Sequence, residues 1–254
     1  MNRISFLLTI YLLWLCCQLP IHAARATTSC AYSFSSGSGN TFLNYCVTVN
    51  GNIPLIKTPS GVQLMGPDGE GYGVCNESPA QNYTDYGISD TGNWRPAILL
   101  SHNTSGSVQI ARTTSDGQWT LTQTIALTHT PSITVIMALK NNQSVQKVAY
   151  LVRFADPLPP GVADYTYVGG LNGALTWDAP QYGLLLQNVG APPFGFWQGY
   201  VQTVTTGPNA CAFAFNEANL NEVVGVPPGS IEVAYVGPVP AGGTKTVTLT
   251  YRGL

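Results

Sequence analysis

The sequence predicts an all-β protein, a large antiparallel β-sandwich with long connecting loops, and three observations predict it. Apolar and polar residues alternate with period two in stretch after stretch, as strands with one buried and one wet face require. These runs, rich in Thr and Val, are separated by turn clusters, and the 254 residues include 27 Gly and 18 Pro. Charged residues make up only 9% of the chain and hydrophobic ones 44%. Yet only one apolar run approaches membrane-spanning length, and it lies at the N-terminus.

That first run, "MNRISFLLTIYLLWLCCQLPIHAARA", has the form of a secretory signal. Arg3 supplies a positive start, residues 4–17 form the apolar stretch, and the small residues Ala23 and Ala26 end two cleavage sites. The expected division is a signal peptide over 1–26 and a single all-β sandwich domain over 27–254. An uncleaved N-terminal anchor is the alternative. The expected location is secreted or extracytoplasmic, with no membrane contact beyond the signal.

The strands follow in order. "NYCVTV" (44–49), "PLIK" (54–57) and "GVQLM" (61–65) come first, then "AILLS" (97–101) and "SVQIART" (107–113). In "QWTLTQTIALTH", Trp119, Leu121, Ile125 and Leu127 share one face, and Thr120, Thr122, Thr124 and Thr128 share the other. "SITVIMALK" repeats the pattern with Ile133, Val135, Met137 and Leu139, and "HTPS" between them makes a turn at a proline no ladder bond needs. "KVAYLVRF" (147–154), "YTYVGG" (165–170), "GALTW" (173–177), "YGLLLQN" (182–188), "GYVQTVT" (199–205), "ACAFAF" (210–215), "SIEVAYVG" (230–237) and "TKTVTLTYR" (244–252) complete the set. "MGPDGEGYG" and "GAPPFG" are turns on composition, and "FNEANLNEVV" (215–224) is the one helical candidate. So many strands exceed an immunoglobulin-type domain. No low-complexity linker divides them, and "DPLPPGVAD" (156–164) is the best boundary if there are two domains.

Removal of the signal leaves Cys30, Cys46, Cys75 and Cys211. In an exported chain these form disulfides rather than a metal site, because no CxxC and no nearby histidine accompany them. Cys30 and Cys46 lie symmetrically about "SSGSGN", so a hairpin folded there brings them opposite each other and leaves Cys75 for Cys211. Loss of Arg3 and Arg25 leaves eight basic against twelve acidic residues. No basic stripe remains for nucleic acid. No cofactor motif is visible: the glycines lack the Lys-Ser/Thr ending of a phosphate loop.

Residues 115–157, "SDGQWTLTQTIALTHTPSITVIMALKNNQSVQKVAYLVRFADP", resemble the central hairpins of the galactose-mutarotase-like β-supersandwich of carbohydrate-handling proteins. The resemblance implies an architecture, not an activity. Mutarotases of that fold use two histidines and an acid around the sugar ring. Here the mature chain offers only His102 and His129, neither in a matching motif, and His129 is expected to shape its hairpin loop.

Catalytic signatures are weak. No G-x-S-x-G occurs. Asp156, Asp164, Asp178, Glu217 and Glu222 are raw material for a glycosidase pair, but sequence spacing cannot show whether two of them face each other. Asp68 and Glu70 in the glycine-rich turn are too few for calcium. The stronger signal is aromatic. "YTDYGISDTGNW" carries Tyr83, Tyr86 and Trp94; "LTWDAPQYG" carries Trp177, Asp178 and Tyr182; "PPFGFWQGY" carries Phe194, Trp197 and Gln198. Aromatic faces stack on sugar rings while nearby Asp and Gln bond hydroxyls; the same residues serve equally as lids over sheet ends. The expectation is a non-catalytic glycan- or surface-binding protein using Trp94, Trp177, Asp178, Tyr182, Trp197 and Gln198, with no metal or cofactor. A carbohydrate-active enzyme, hydrolase or epimerase, and a structural extracellular protein are the alternatives. Four Asn-x-Ser/Thr triplets start at Asn76, Asn82, Asn103 and Asn142.

Overall fold

The computed structural model describes residues 30–87, 93–129, 131–157, 166–170, 172–177, 182–191, 193–202, 210–213, 223–225 and 230–254. In chain order the strands are β1 (Tyr32–Ser36), β2 (Leu43–Val47), β3 (Leu55–Lys57), β4 (Met65–Asn76), β5 (Gln81–Tyr86), β6 (Ile98–Asn103), β7 (Ser107–Thr113), β8 (Trp119–His129) and β9 (Ser132–Asn141). They continue as β10 (Lys147–Pro157), β11 (Thr166–Gly170), β12 (Gly173–Trp177), β13 (Gly183–Asn188), β14 (Phe196–Gln202), β15 (Val223–Gly225), β16 (Ser230–Val239) and β17 (Thr244–Gly253). A single helical turn, α1 (Ala210–Phe213), precedes β15.

All pairings between these strands are antiparallel. They form a nine-stranded sheet ordered β15-β11-β12-β13-β17-β9-β8-β7-β6, a five-stranded sheet ordered β14-β16-β10-β4-β5, and a small sheet β1-β2-β3. Alternation does the work the sequence assigns to it. Leu121, Ile125, Val135, Leu139 and Leu249 point inward from the large sheet and meet Tyr72, Leu151, Val233 and Tyr235 of the five-stranded sheet. Each such fully buried side chain contributes about 1.5–3 kcal/mol relative to exposure. The threonines stay on the wet side and bond one another, as in the 3.0 Å contact between the Thr113 and Thr120 hydroxyls. One apolar cluster includes residues of all three sheets. At one edge the two large sheets touch backbone to backbone: a Cβ on Gly199 would lie 2.0 Å from the Gly173 carbonyl, so only glycine fits.

Both disulfides form with the expected partners, Cys30 with Cys46 and Cys75 with Cys211. The β1–β2 hairpin explains the first, since Ser33 pairs with Cys46 three residues after Cys30. His129 ends β8 at its hairpin, paired in register with Ser132.

Four expectations change. "MGPDGEGYG" is not a turn but the first part of the 12-residue β4, which is central to its sheet. Its glycines alternate: Tyr72 and Val74 pack inward, while Gly71, Gly73 and Cys75 occupy the other face, where neighbouring chain approaches closely. "GVQLM" makes only an isolated bridge, Lys57 with Gln63, before β4 starts at Met65. "ACAFAF" opens as a helical turn rather than a strand, with Ala210 packed on the outer side of β4. Of the helical candidate 215–224, residues 215–222 lie outside the described residues, and Val223 and Val224 belong to β15. The strands β1 and β5 carry no period-two apolar signal strong enough to single them out.

Candidate functional site

Among the described residues, acidic side chains are buried in two places, and these differ in one respect that separates structure from function. The first lies between the sheets. Glu70 on β4 pairs with Arg153 on β10, and Asp85 on β5 pairs with Arg112 on β7; all four side chains are almost completely buried. Around them the carboxylates are held by several donors. Glu70 accepts from the Tyr251 hydroxyl at 2.6 Å and the Ile53 amide at 2.6 Å. Asp85 accepts from the Asn52 amide at 2.7 Å. Arg153 also donates to the Gly51 carbonyl at 3.1 Å and to Gln123, and its guanidinium stands 5.8 Å from the Tyr72 ring centre. Burial pushes the Glu70 carboxyl up, while Arg153, Tyr251 and the Ile53 amide pull it back down. Both carboxylates of the cluster are thus paired with a buried arginine and with further donors, as structural groups are. The cluster ties the 48–52 loop and both large sheets together.

The second place is the opposite face of the five-stranded sheet. On β16, Ile231, Val233 and Tyr235 point into the core, so Glu232 and Ala234 point away from it. Glu232 nevertheless has no exposed surface. Among the described residues neither of its carboxyl oxygens has a hydrogen-bond partner. Burial alone, with no compensating bond, pushes its carboxyl well above the usual carboxylate range.

A second acid shares this face. Glu232 stands opposite Phe154 in the β10–β16 ladder, and Asp156 follows Phe154 by two residues on β10. Asp156 is 5% exposed. As diagonal neighbours the two positions stand about 7–8 Å apart. Beside them β4 presents glycine: a Cβ on Gly66 would fall 2.4 Å from the Asp156 carboxyl oxygen Oδ2. The Cys75–Cys211 bond fastens α1 over this side of the sheet, with Ala210 packed on Cys75 and Val152.

The raised carboxyl has a measurable consequence. Folded Glu232 keeps a proton that the unfolded chain releases once the pH passes the ordinary glutamate pKa, so its contribution makes the fold less stable as pH rises. Glu232→Gln is expected to unfold at a higher temperature than the parent at pH 8 and to lose that advantage near pH 4. Each pH unit between the unfolded and folded pKa values is worth about 1.4 kcal/mol. Thermal melts of both proteins across that range check it.

The aromatic residues singled out by sequence do not gather in one place. Trp94 is buried at 8% exposure, edge-on to Tyr72 at 5.5 Å and Tyr83 at 6.2 Å, with the Arg112 guanidinium 5.7 Å from its ring. Tyr83 donates to Asp116 at 2.5 Å and is also buried. Trp177 is half-buried at the end of β12, where it alternates with the buried Ala174 and Thr176 and so faces away from the core. Tyr182 is half-buried against the main core. Trp197 also packs half-buried on that core, its indole N–H 3.5 Å from the Asn172 side-chain oxygen. Gln198 pairs with Ala234 in the backbone register; its side chain, and all of Asp178, lie outside the described residues. So do Asp164, Glu217 and Glu222. Of the acids weighed from sequence as a catalytic pair, the one among the described residues, Asp156, falls on the candidate face, while sequence reasoning missed Glu232. A single acid among the apolar residues of "SIEVAYV" looks like any wet-face residue of a strand.

No family model matches the sequence, and no curated protein matches it by sequence. The fold does have counterparts. A bacterial glucoamylase, solved in complex with acarbose, superposes with a TM-score of 0.59 at 9% identity, over 90% of this chain and 33% of the glucoamylase. This chain therefore spans about a third of that enzyme's length. A protein from Synechocystis gives 0.54 at 8% identity, covering 89% and 97% of the two chains. A candidate aldose 1-epimerase from Escherichia coli K12 gives 0.50 at 12% identity, covering 88% and 99%. The chain thus has the galactose-mutarotase-like fold that residues 115–157 resemble, and its structural neighbours include carbohydrate-handling proteins.

Proposed function

We propose that this protein is exported and handles carbohydrate outside the cytoplasm, with Glu232 and Asp156 as the groups that meet the sugar. The observation that carries the reading is Glu232: a fully buried acid with both oxygens unbonded, on the same face as a second acid. A sugar hydroxyl is the kind of partner such a carboxyl lacks. Two disulfides fit an oxidising compartment, and among the described residues no helix is long and apolar enough to cross a membrane.

This arrangement favours chemistry over passive binding. A carboxyl whose protonated form is favoured by burial can donate to a ring or glycosidic oxygen, while its neighbour accepts a proton from a hydroxyl or water. Two acids at diagonal separation leave room for that division of labour. Access to Glu232 requires the chain covering this face to shift, since the acid has no exposed surface.

The test is turnover of a panel of free sugars and oligosaccharides, followed by proton NMR for anomer interconversion and bond cleavage. Glu232→Gln and Asp156→Asn are each expected to lower the rate by about 100-fold or more, as loss of an acid or base does. Full activity in both variants removes the acid face from the reading.

A second reading keeps glycan binding without chemistry, through Trp177, Tyr182 and Trp197 with Asp178 and Gln198. Its support is the Trp197 indole beside the exposed Asn172 and the 40% exposed Phe196 on the same strand. It predicts glycan-array binding that Trp177→Ala/Trp197→Ala abolishes and Glu232→Gln leaves intact. Binding unchanged by the tryptophan pair overturns it.

A further inference from the structure

The four Asn-x-Ser/Thr triplets look alike in sequence and very different in the fold. Asn76 has no exposed surface, sits at the end of the central strand β4, and donates its side-chain amide to the Ser78 carbonyl at 3.4 Å. Asn82 lies half-buried within β5, with its side-chain oxygen enclosed. Asn142 is exposed, but its Nδ2 is shared between the Gly117 carbonyl at 3.0 Å and the Thr120 hydroxyl at 2.9 Å.

Asn103 is the exception. It is the last residue of β6, the outermost strand of the nine-stranded sheet, and it is exposed, as Thr104 and Ser105 are. The Ser105 hydroxyl donates to its Oδ1 at 3.0 Å, and the Ser107 amide donates to the same oxygen at 3.1 Å. Its Nδ2 has no partner among the described residues. The triplet is therefore already folded into a turn in which the hydroxyl of the third residue touches the carboxamide of the first. Both hydrogen bonds fall on the oxygen and hold the carboxamide in one orientation, with Nδ2 turned away from them and unengaged among the described residues.

The neighbouring surface adds an independent observation. Ile98, Leu99 and Leu100, the first three residues of the same strand, are 60%, 50% and 50% exposed. Among the described residues no strand pairs with the outer edge of β6, and no residue of the strand carries a charged Lys, Arg, Asp or Glu side chain to discourage pairing with another chain. An uncovered apolar edge strand is an association hazard that exported proteins ordinarily mask.

We propose that Asn103 is the N-glycosylation acceptor of this protein and that the attached glycan screens the β6 edge. The inference rests on the export reading. In the step, Nδ2 forms a bond to the anomeric carbon of a lipid-linked oligosaccharide diphosphate. The bond from that carbon to the diphosphate oxygen breaks, the lipid diphosphate leaves, and Nδ2 gives up one proton. Nothing is oxidised or reduced. A glycan at Asn76, by contrast, has no room in the folded sheet.

The experiment is secretion of the full chain from eukaryotic cells in culture, which supply the donor, followed by enzymatic glycan release in heavy-oxygen water and peptide mass mapping. Conversion of Asn103 to labelled Asp in most secreted molecules is expected, with Asn76 unlabelled. Asn103→Gln should lose one glycan mass, and its secreted product should self-associate in a concentration-dependent way that Leu99→Lys/Leu100→Lys reverses. An unmodified Asn103 in secreted protein, or a modified Asn76 in folded monomer, overturns the assignment. An Asn103→Gln product that stays monomeric overturns the screening role. If the chain is retained in the cytosol, its own signal has failed; the same mapping on the chain behind a foreign export signal then decides Asn103 separately.

Discussion

Arg153→Met is expected to lower the unfolding free energy by about 3–5 kcal/mol, the range seen when one partner of a buried ion pair is removed. The cause is not the loss of an attraction. Arg153 and Glu70 are both fully buried, and the substitution leaves the Glu70 carboxylate in the interior with only the Tyr251 hydroxyl and the Ile53 amide to hold it. The Gly51 carbonyl and the Gln123 side chain lose a donor as well, which loosens the 48–52 loop. Two further variants separate the causes. Glu70→Gln in the Arg153→Met background removes the stranded charge and should recover part of the loss. Arg153→Lys keeps the charge but cannot reproduce the fork of donors, so it should fall between parent and Arg153→Met. Urea denaturation of the four proteins checks the order. An Arg153→Met protein as stable as the parent shows that the pair contributes nothing net.

Removal of the Cys75–Cys211 bond by Cys75→Ser/Cys211→Ser is expected to destabilise more than removal of Cys30–Cys46. The sequence separations are 136 and 16 residues. On the chain-entropy account, closing loops of those sizes is worth about 5 and about 3 kcal/mol. The larger loss has a local consequence too. The bond pins α1 to β4 on the side of the sheet where Glu232 is sealed. Loss of the bond is expected to loosen the cover on this side of the sheet, and the Glu232 pKa should then relax toward the ordinary glutamate range. The pH dependence of stability assigned to Glu232 should then flatten along with the midpoint shift. Equal midpoints for the two double variants would show that the unfolded chain does not feel the longer crosslink.

Much of this molecule is legible in the residues. The β8–β9 hairpin reads almost to the residue because β8 has one apolar and one Thr-rich face, β9 alternates buried with less buried positions, and period two survives in the letters. The sulfur pairing follows from a hairpin that brings its ends together. Legibility fails where both faces of a strand are buried for different reasons. In β4, Glu70 faces an arginine and the glycines face closely packed chain, so the strand looks like a turn. The same limit hid the candidate site. Glu232 sits where alternation assigns a wet face, and an acid there attracts no notice.

Trp94 fails in the other direction. Its setting in "SDTGNW" has the look of an exposed loop, yet it stacks between Tyr72, Tyr83 and Arg112, which come from three separate strands. By itself, then, the sequence determined the class of fold, the position of most strands and the partners of all four cysteines, because these depend on periodicity and on neighbours along the chain. Tertiary structure alone decided which polar groups are satisfied and which are sealed in without a partner. That outcome depends on contacts such as Glu70 with Arg153 or the absence of any for Glu232, and residues far apart in the chain make or withhold those contacts only once the sheets have closed.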